Sequence, residues 1–323
     1  MSDRSNGESV RRAAGTAVRQ CLDLRPDETC VVVTDDERLP LGEVLYDVAA
    51  EITGEPVLVR YPPGTQHGEE PPAPVAAAMA EADAFLAPTT KSISHTRARS
   101  RANERGARGA TLPGITEDVF VTGLDADYEE IERTCESVLG LVEGATEVRV
   151  TSQQGTDITF EPGDREWQSD TGIVREAGDF SNLPAGEVFV SPETANGTYV
   201  VDGTMMPHGL LDAGQELTFE VEDGYVTAIS DEAIRTQVEA AAEEVGRDAY
   251  NLAELGIGTN LAVDTLVGSV LLDEKAAGTV HVAIGDDAGI GGDTDAPLHL
   301  DGILREPTVA VDGEEITLPH PEP

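Results

Sequence analysis

Thr29-Cys30-Val31-Val32-Val33-Thr34 is an uncharged run closed by the pair Asp35-Asp36. It is too short for a helix and rich in β-branched residues, so it reads as a strand buried on both faces. The segments on either side of it carry helical periodicity, at Ala13–Leu24 and Leu41–Ile52. A second strand follows at Pro56–Tyr61, and residues 62–74, rich in Pro, Gly and Glu, form a loop. Beyond it the pattern predicts a helix at Val75–Glu81, a short strand at Ala84–Ala87 and a helix at Thr96–Gly106. A strand at Asp118–Thr122 and a long helix at Tyr128–Val142 complete the series, while the polar residues 1–9 are expected to fray. Strands and helices that alternate in this way imply a mainly parallel sheet covered by helices on both faces.

The texture changes near residue 145. Short strands are predicted at Glu147–Ser152, Asp157–Glu161, Val188–Ser191, Gly197–Val201, Glu216–Val221 and Tyr225–Ser230. Glu222-Asp223-Gly224, between two alternating runs, is a hairpin signal. One helix, Asp231–Val245, follows. The expected organisation is an α/β, Rossmann-like N-terminal domain with a mainly parallel sheet over residues 1–145. An α+β metal-binding C-terminal domain with a largely antiparallel sheet is expected over residues 146–323. No Gly-x-Gly-x-x-Gly follows the first strand, so dinucleotide binding has no support.

The formal net charge is −41, from 21 basic and 62 acidic residues, yet 39% of residues are apolar. That apolar share can build cores, so the acidity does not mean disorder. Acids run through the whole chain, and of the basic residues only Lys91 and Lys275 are lysines. Charge of this size repels itself in dilute buffer and is screened in strong salt. The composition therefore reads as adaptation to a molar-salt cytoplasm, as in a halophilic archaeon. Phosphate backbones and anionic lipid surfaces need basic patches. The one basic stretch is Arg97, Arg99, Arg101, Arg105 and Arg108, read with His95 as a helix face paired to acids or as an anion pocket. No nucleic acid and no membrane are expected as partners. No apolar run long enough to span a bilayer and no leader pattern is visible, so a cytoplasmic location is expected. Cys21, Cys30 and Cys135 lack metal-type spacing and are expected to be buried free thiols.

Five potential metal ligands fall in the C-terminal half: Glu187, Glu254, His281, His299 and Asp301. Glu254 lies in an otherwise small and apolar stretch, where an ionised carboxylate is costly unless it is paired or metal-bound. His281 sits in a strand-like segment, Thr279–Ile284, with Ala283 and Gly285 on the same face. His299 and Asp301, two apart in an extended segment, point the same way and can meet one ion. Three carboxylates and two imidazoles suffice for two divalent ions, which can share a water and lower its pKa. Residues 285–293 are Gly- and Asp-rich and read as a loop that borders the site or acts as a lid, its aspartates as those of an ordinary acidic turn. Lys275 is expected to contact a substrate carboxylate or to form a surface ion pair.

The ordered segments Leu183-Pro184-Ala185-Gly186-Glu187-Val188-Phe189, Ala253-Glu254-Leu255-Gly256-Ile257-Gly258, Gly278-Thr279-Val280-His281-Val282-Ala283 and His299-Leu300-Asp301 resemble the thermophilic-type metalloaminopeptidase family of aminopeptidases T and S. Ser94-His95-Thr96 and the segment 107–114 look similar to that family too. The resemblance implies an aminopeptidase with two divalent ions (zinc, cobalt, manganese or magnesium) on Glu187, Glu254, His281, His299 and Asp301. Glu187 or Glu254 would carry the proton, and the expected partners are a peptide or small-molecule substrate, with a homodimer as one expected assembly. The family has a tyrosine seven residues after the strand histidine, where this chain has Ala288. A ring-cleaving dihydroxypyridine dioxygenase is similar to the same family and uses one iron. His281, His299 and Asp301 would form its ligand set, since two imidazoles and a carboxylate leave positions open for oxygen and substrate. A non-catalytic relative is the third expectation.

Overall fold

The structure is a computed structural model that describes residues 2–321. It divides into two compact units. One takes the chain through Glu132 together with Asp170–Ala185; the other takes Arg133–Ser169 and the chain from Gly186 onward. The sequence suggested a single cut at 145/146. The observed division lies inside the helix Tyr128–Val142, and Asp170–Ala185 returns to the first unit. That return has a physical reason: Phe180–Asn182 adds a parallel strand beside Arg108–Pro113.

The first unit is an α/β fold around a five-stranded parallel sheet. Its strands run Glu55–Tyr61, Thr29–Asp35, Ala84–Thr89, Arg108–Pro113 and Phe180–Asn182 in spatial order. The opening valine run is a central strand, with Val31 opposite both Val57 and Phe85. Val31, Val33, Val75, Met79, Phe85, Ile93 and Ala102 form one buried cluster against it. Two expectations fail here. The Asp118–Thr122 strand is instead part of a helix, Glu117–Leu124. Its β-branched residues are overruled by an N-terminal cap, Thr116 Oγ1 accepting from the Val119 amide at 3.3 Å. Glu117 and Asp118 in the first turn add to this. The strand position is filled by Arg108–Pro113, whose leading arginine hid it. Arg108 is buried because Glu28 receives its guanidinium in two bonds, at 2.9 and 2.7 Å. Residues 2–9, expected to fray, belong to a helix, Ser2–Gly15, which passes into a π-helical turn, Thr16–Cys21; Met1 lies outside the described residues. Ala17, Val18, Cys21 and Leu22 are fully buried there. All three cysteines are free and buried.

The second unit is α+β and largely antiparallel. One sheet orders Tyr225–Ile229, Leu217–Glu222, Thr194–Val201, Asp157–Glu161, Val148–Thr151, Thr308–Val311 and Glu314–Glu315. Leu217, Phe219 and Val221 alternate inward with outward polar neighbours, the period-two pattern of a half-buried strand. A second sheet runs through Gly209–Leu210, Thr204–Met205, His299–Leu304, Val280–Gly285, Leu252–Gly258 and Glu187–Val190. Its two central strands, Leu252–Gly258 and Val280–Gly285, are buried at every residue. The helix Glu232–Val245 starts at Asp231, whose carboxylate accepts from the Ile234 amide at 2.9 Å. Among the described residues no helix is long and apolar enough to cross a membrane.

Candidate metal centre

Four neighbouring strands of the second sheet place the five candidate ligands. Gly258 lies opposite Glu187, Gly256 opposite His281, Ala283 opposite both Glu254 and Asp301, and Gly285 opposite His299. Cross-strand partners and residues two apart share a sheet face, so all five side chains rise from one face. Each has glycine or alanine on at least one side, which leaves room for the charged groups, while Ile303 flanks His281 on the other. The need for that room is sharpest at Gly256, where an added Cβ would lie 2.0 Å from His281 Nε2.

Glu254 spans the centre. Its Oε1 lies 3.3 Å from His281 Nε2, and its Oε2 lies 3.2 Å from His299 Nε2. Asp301 Oδ1 lies 3.3 Å from His299 Nε2, and Glu187 Oε2 lies 3.4 Å from His281 Nε2. Two overlapping groups result, Glu187 with Glu254 and His281, and Glu254 with His299 and Asp301. In each group the potential ligand atoms all lie within 4.8 Å of one another. Glu187, Glu254 and His281 are buried, at 7%, 6% and 1% exposure. The His299 side chain keeps 31% of its surface, so the centre opens on the His299 side.

The electrostatics follow from that burial. Desolvation works against charge on His281, but the hydrogen bond to Glu254 and the carboxylates of Glu187, Glu254 and Asp301 push it up to about 9. His299 is likewise opposed by desolvation and held well above the ordinary imidazole value by Asp301 and Glu254. Desolvation would raise Glu254 and Asp301, yet the two imidazoles hold both carboxyls below their usual range. Burial raises Glu187, with the Lys275 ammonium working in the opposite direction.

Several supporting residues carried no readable signal. His299 Nδ1 lies 2.7 Å from the Asp286 carbonyl, a bond that holds the ring and directs Nε2 inward. Asp287, expected in an ordinary acidic turn, is 3% exposed. Its carboxylate accepts from Ser191 Oγ at 2.9 Å, Asn251 Nδ2 at 2.9 Å and the Thr294 amide at 2.7 Å, and so fastens the loop. Ala288 lies in a short 3-10 turn and is exposed. Lys275 makes no surface ion pair: it is 3% exposed, with Nζ on Glu187 Oε1 and 2.9 Å from Glu274 Oε1. In the first unit, Arg99 of the arginine stretch donates to the Ser94 carbonyl at 2.6 Å, while others of the stretch meet acids. Arg97 meets Glu70 at 3.2 Å, Arg105 meets Glu81 at 2.6 Å, and Arg108 meets Glu28.

Comparison with known proteins places this geometry. The model of the NicX family, 2,5-dihydroxypyridine 5,6-dioxygenase, matches residues 17–319. A solved 2,5-dihydroxypyridine dioxygenase from Pseudomonas putida KT2440 superposes with a TM-score of 0.78 at 18% identity, covering 96% of this chain and 95% of that one. Wild-type AmpT from Thermus thermophilus superposes with a TM-score of 0.67, also at 18% identity, covering 97% of both chains. No curated protein matches significantly by sequence. At these identities the two structures show a shared fold, and that fold is common to an aminopeptidase and a dioxygenase. The match along residues 17–319 overturns the expected hydrolase and aminopeptidase activity, because the matching family is that of a dioxygenase; the expected likeness to aminopeptidases stands as a shared fold. The chain belongs to the 2,5-dihydroxypyridine 5,6-dioxygenase family.

Proposed function

We propose that this protein is a mononuclear non-haem metal dioxygenase that opens a hydroxylated aromatic ring of the dihydroxypyridine class. Membership of the family along residues 17–319 is the observation that carries the reading. The donor set fits such an ion. His281 Nε2 lies with the Glu187 and Glu254 carboxylates in one cluster of ligand atoms, His299 Nε2 lies with the Glu254 and Asp301 carboxylates in the next, and Glu187 Oε2 is buried without a hydrogen bond. Nitrogen and carboxylate oxygen ligands with positions left open suit Fe(II). His281, His299 and Asp301 would hold the ion, and Glu254 would orient both imidazoles from between them. The ion would supply the O₂ chemistry that no side chain here can perform.

The remaining work falls to the chain itself. Asp286 fixes the His299 ring through its carbonyl, and Asp287 fixes the loop that carries that carbonyl. Burial of Glu187, Glu254 and His281 keeps water from the back of the site. The partly exposed His299 leaves the approach for an aromatic ring.

The test uses protein purified in molar KCl and loaded anaerobically with Fe(II). With 2,5-dihydroxypyridine and O₂ labelled with oxygen-18, ring absorbance should disappear as O₂ is consumed, and both labelled atoms should enter the ring-opened product. Release of amino acids from peptides, with no oxygen uptake on any dihydroxylated ring, would sink the proposal.

A further inference from the structure

Lys275 is one of two lysines in a chain whose other basic residues are arginines, and it is buried beside the candidate centre. An ammonium in such a place is costly unless it is paired. Two carboxylates pair with it: the buried Glu187, through Oε1, and the partly buried Glu274, whose Oε1 is 2.9 Å away. The backbone fixes its position, since the Lys275 carbonyl accepts from the Asn260 amide at 2.8 Å and the Lys275 amide donates to Leu272 at 3.0 Å. Lysine is a compact point charge where arginine is a broad fork. A point charge against a carboxylate resembles a bound cation in what it neutralises.

Glu187, Glu254 and His281 form one group that could hold a cation, and Glu254, His299 and Asp301 form another. The two groups share Glu254, so the face is laid out for two ions. Resting on the one-ion reading above, we infer that Lys275 is the specificity-determining residue that limits this centre to one metal, its ammonium neutralising Glu187 in place of a second divalent cation. Formal charge agrees with this. The carboxylates Glu187, Glu254, Glu274 and Asp301 carry four negative charges; Lys275 and one divalent ion supply three positive ones. A second divalent ion beside Lys275 would leave the buried cluster net positive. With the lysine removed, two divalent ions would balance the four carboxylates.

The experiment measures bound metal in the intact protein in molar KCl. Wild type, Lys275→Met, Lys275→Arg and Lys275→Met/Glu187→Gln are saturated with Mn(II), freed of loose ions by gel filtration and assayed for metal and protein. Folding is checked by circular dichroism. Wild type and Lys275→Arg should hold one ion per chain. Lys275→Met should hold two, and adding Glu187→Gln should return the count to one. A folded Lys275→Met protein that still holds one ion overturns the inference and leaves the one-ion reading standing. Two ions in the wild type overturn both. Should Lys275→Met fail to fold at any Mn(II) concentration, Glu187→Gln decides. One retained ion supports the lysine as the partner of Glu187, and loss of metal shows Glu187 to be a ligand and overturns it. Ring cleavage does not enter the readout, so the two proposals fail separately.

Discussion

His281, His299 and Asp301 are the residues on which metal binding should turn. In the metal-free protein both imidazoles carry protons, His281 up to about pH 9. An ion needs them neutral, so binding must release those protons. Affinity should therefore climb as pH rises from 6.5 toward 9, each displaced proton adding about one to the slope of log K against pH. Calorimetry in buffers of differing ionisation enthalpy would measure the release, and a pH-independent affinity with no proton release would contradict it. Stability carries the opposite sign. A group whose folded pKa is raised stabilises fully below its ordinary value of 6.5 and loses that contribution as pH rises through about 9. The metal-free protein should thus melt lower at pH 9 than at 6.5, and the loaded protein should not follow it. Gly256→Ala tests the face itself. Its Cβ would meet His281 Nε2 at 2.0 Å, so the ring must move, and metal affinity should fall by roughly the 10–100-fold typical of disturbed ligand support. An alanine variant that binds metal as wild type does would mean that His281 is not a ligand.

Elements differ in how far their own residues specify them. Tyr128–Val142 has the same bounds in sequence and structure, because its apolar residues recur at helical spacing over four turns. Asp157–Glu161 likewise coincides, set by strict alternation and flanking turns. Asp118–Thr122 reads as a strand from the local β-propensity of Val119, Phe120 and Val121, but capping by Thr116 outweighs it and makes the segment helical. Arg108–Pro113 was missed because a buried arginine is legible only with Glu28 beside it. That strand offers an element-scale prediction. Arg108→Met leaves Glu28 without its bidentate partner and should destabilise the first unit by about 3–5 kcal/mol. Arg108→Met/Glu28→Met should recover most of the loss, as read from chemical unfolding. Equal destabilisation of the single and double variants would show that the pair is not what holds the strand.

At the scale of the whole molecule, the net charge of −41 dominates. Exposed pairs such as Arg11–Glu51, with 47% and 48% of their side chains open, contribute at most about 1 kcal/mol each. They cannot offset repulsion among the unpaired acids. A domain is stable by only about 5–15 kcal/mol, while a Debye length of about 3 Å at 1 M salt removes most of that repulsion. Dialysis below a few tenths molar salt should unfold the protein cooperatively. Mn(II) should partly restore it, because an ion that binds only the folded state stabilises by mass action. A melting temperature that stays flat from dilute buffer to molar KCl would refute the adaptation to salt.

The sequence by itself determined the fold class, through the valine run at 29–34, the alternation of helix and strand before residue 145, and the short alternating strands after it. Local periodicity suffices for that, because burying one face of each element allows few arrangements. It also marked Glu187, Glu254, His281, His299 and Asp301, as residue types that suit a metal and as members of ordered segments that resemble a known family. Only the tertiary structure decided that these five rise from one face, with glycines 256, 258 and 285 opposite or between them, because strand register is a long-range property. The same holds for Lys275. In sequence it stands beside Asp273 and Glu274 and looks like a surface charge. In the fold, pairing across 88 residues to Glu187 buries it, and that choice between solvent and interior is made by packing, which no local pattern encodes.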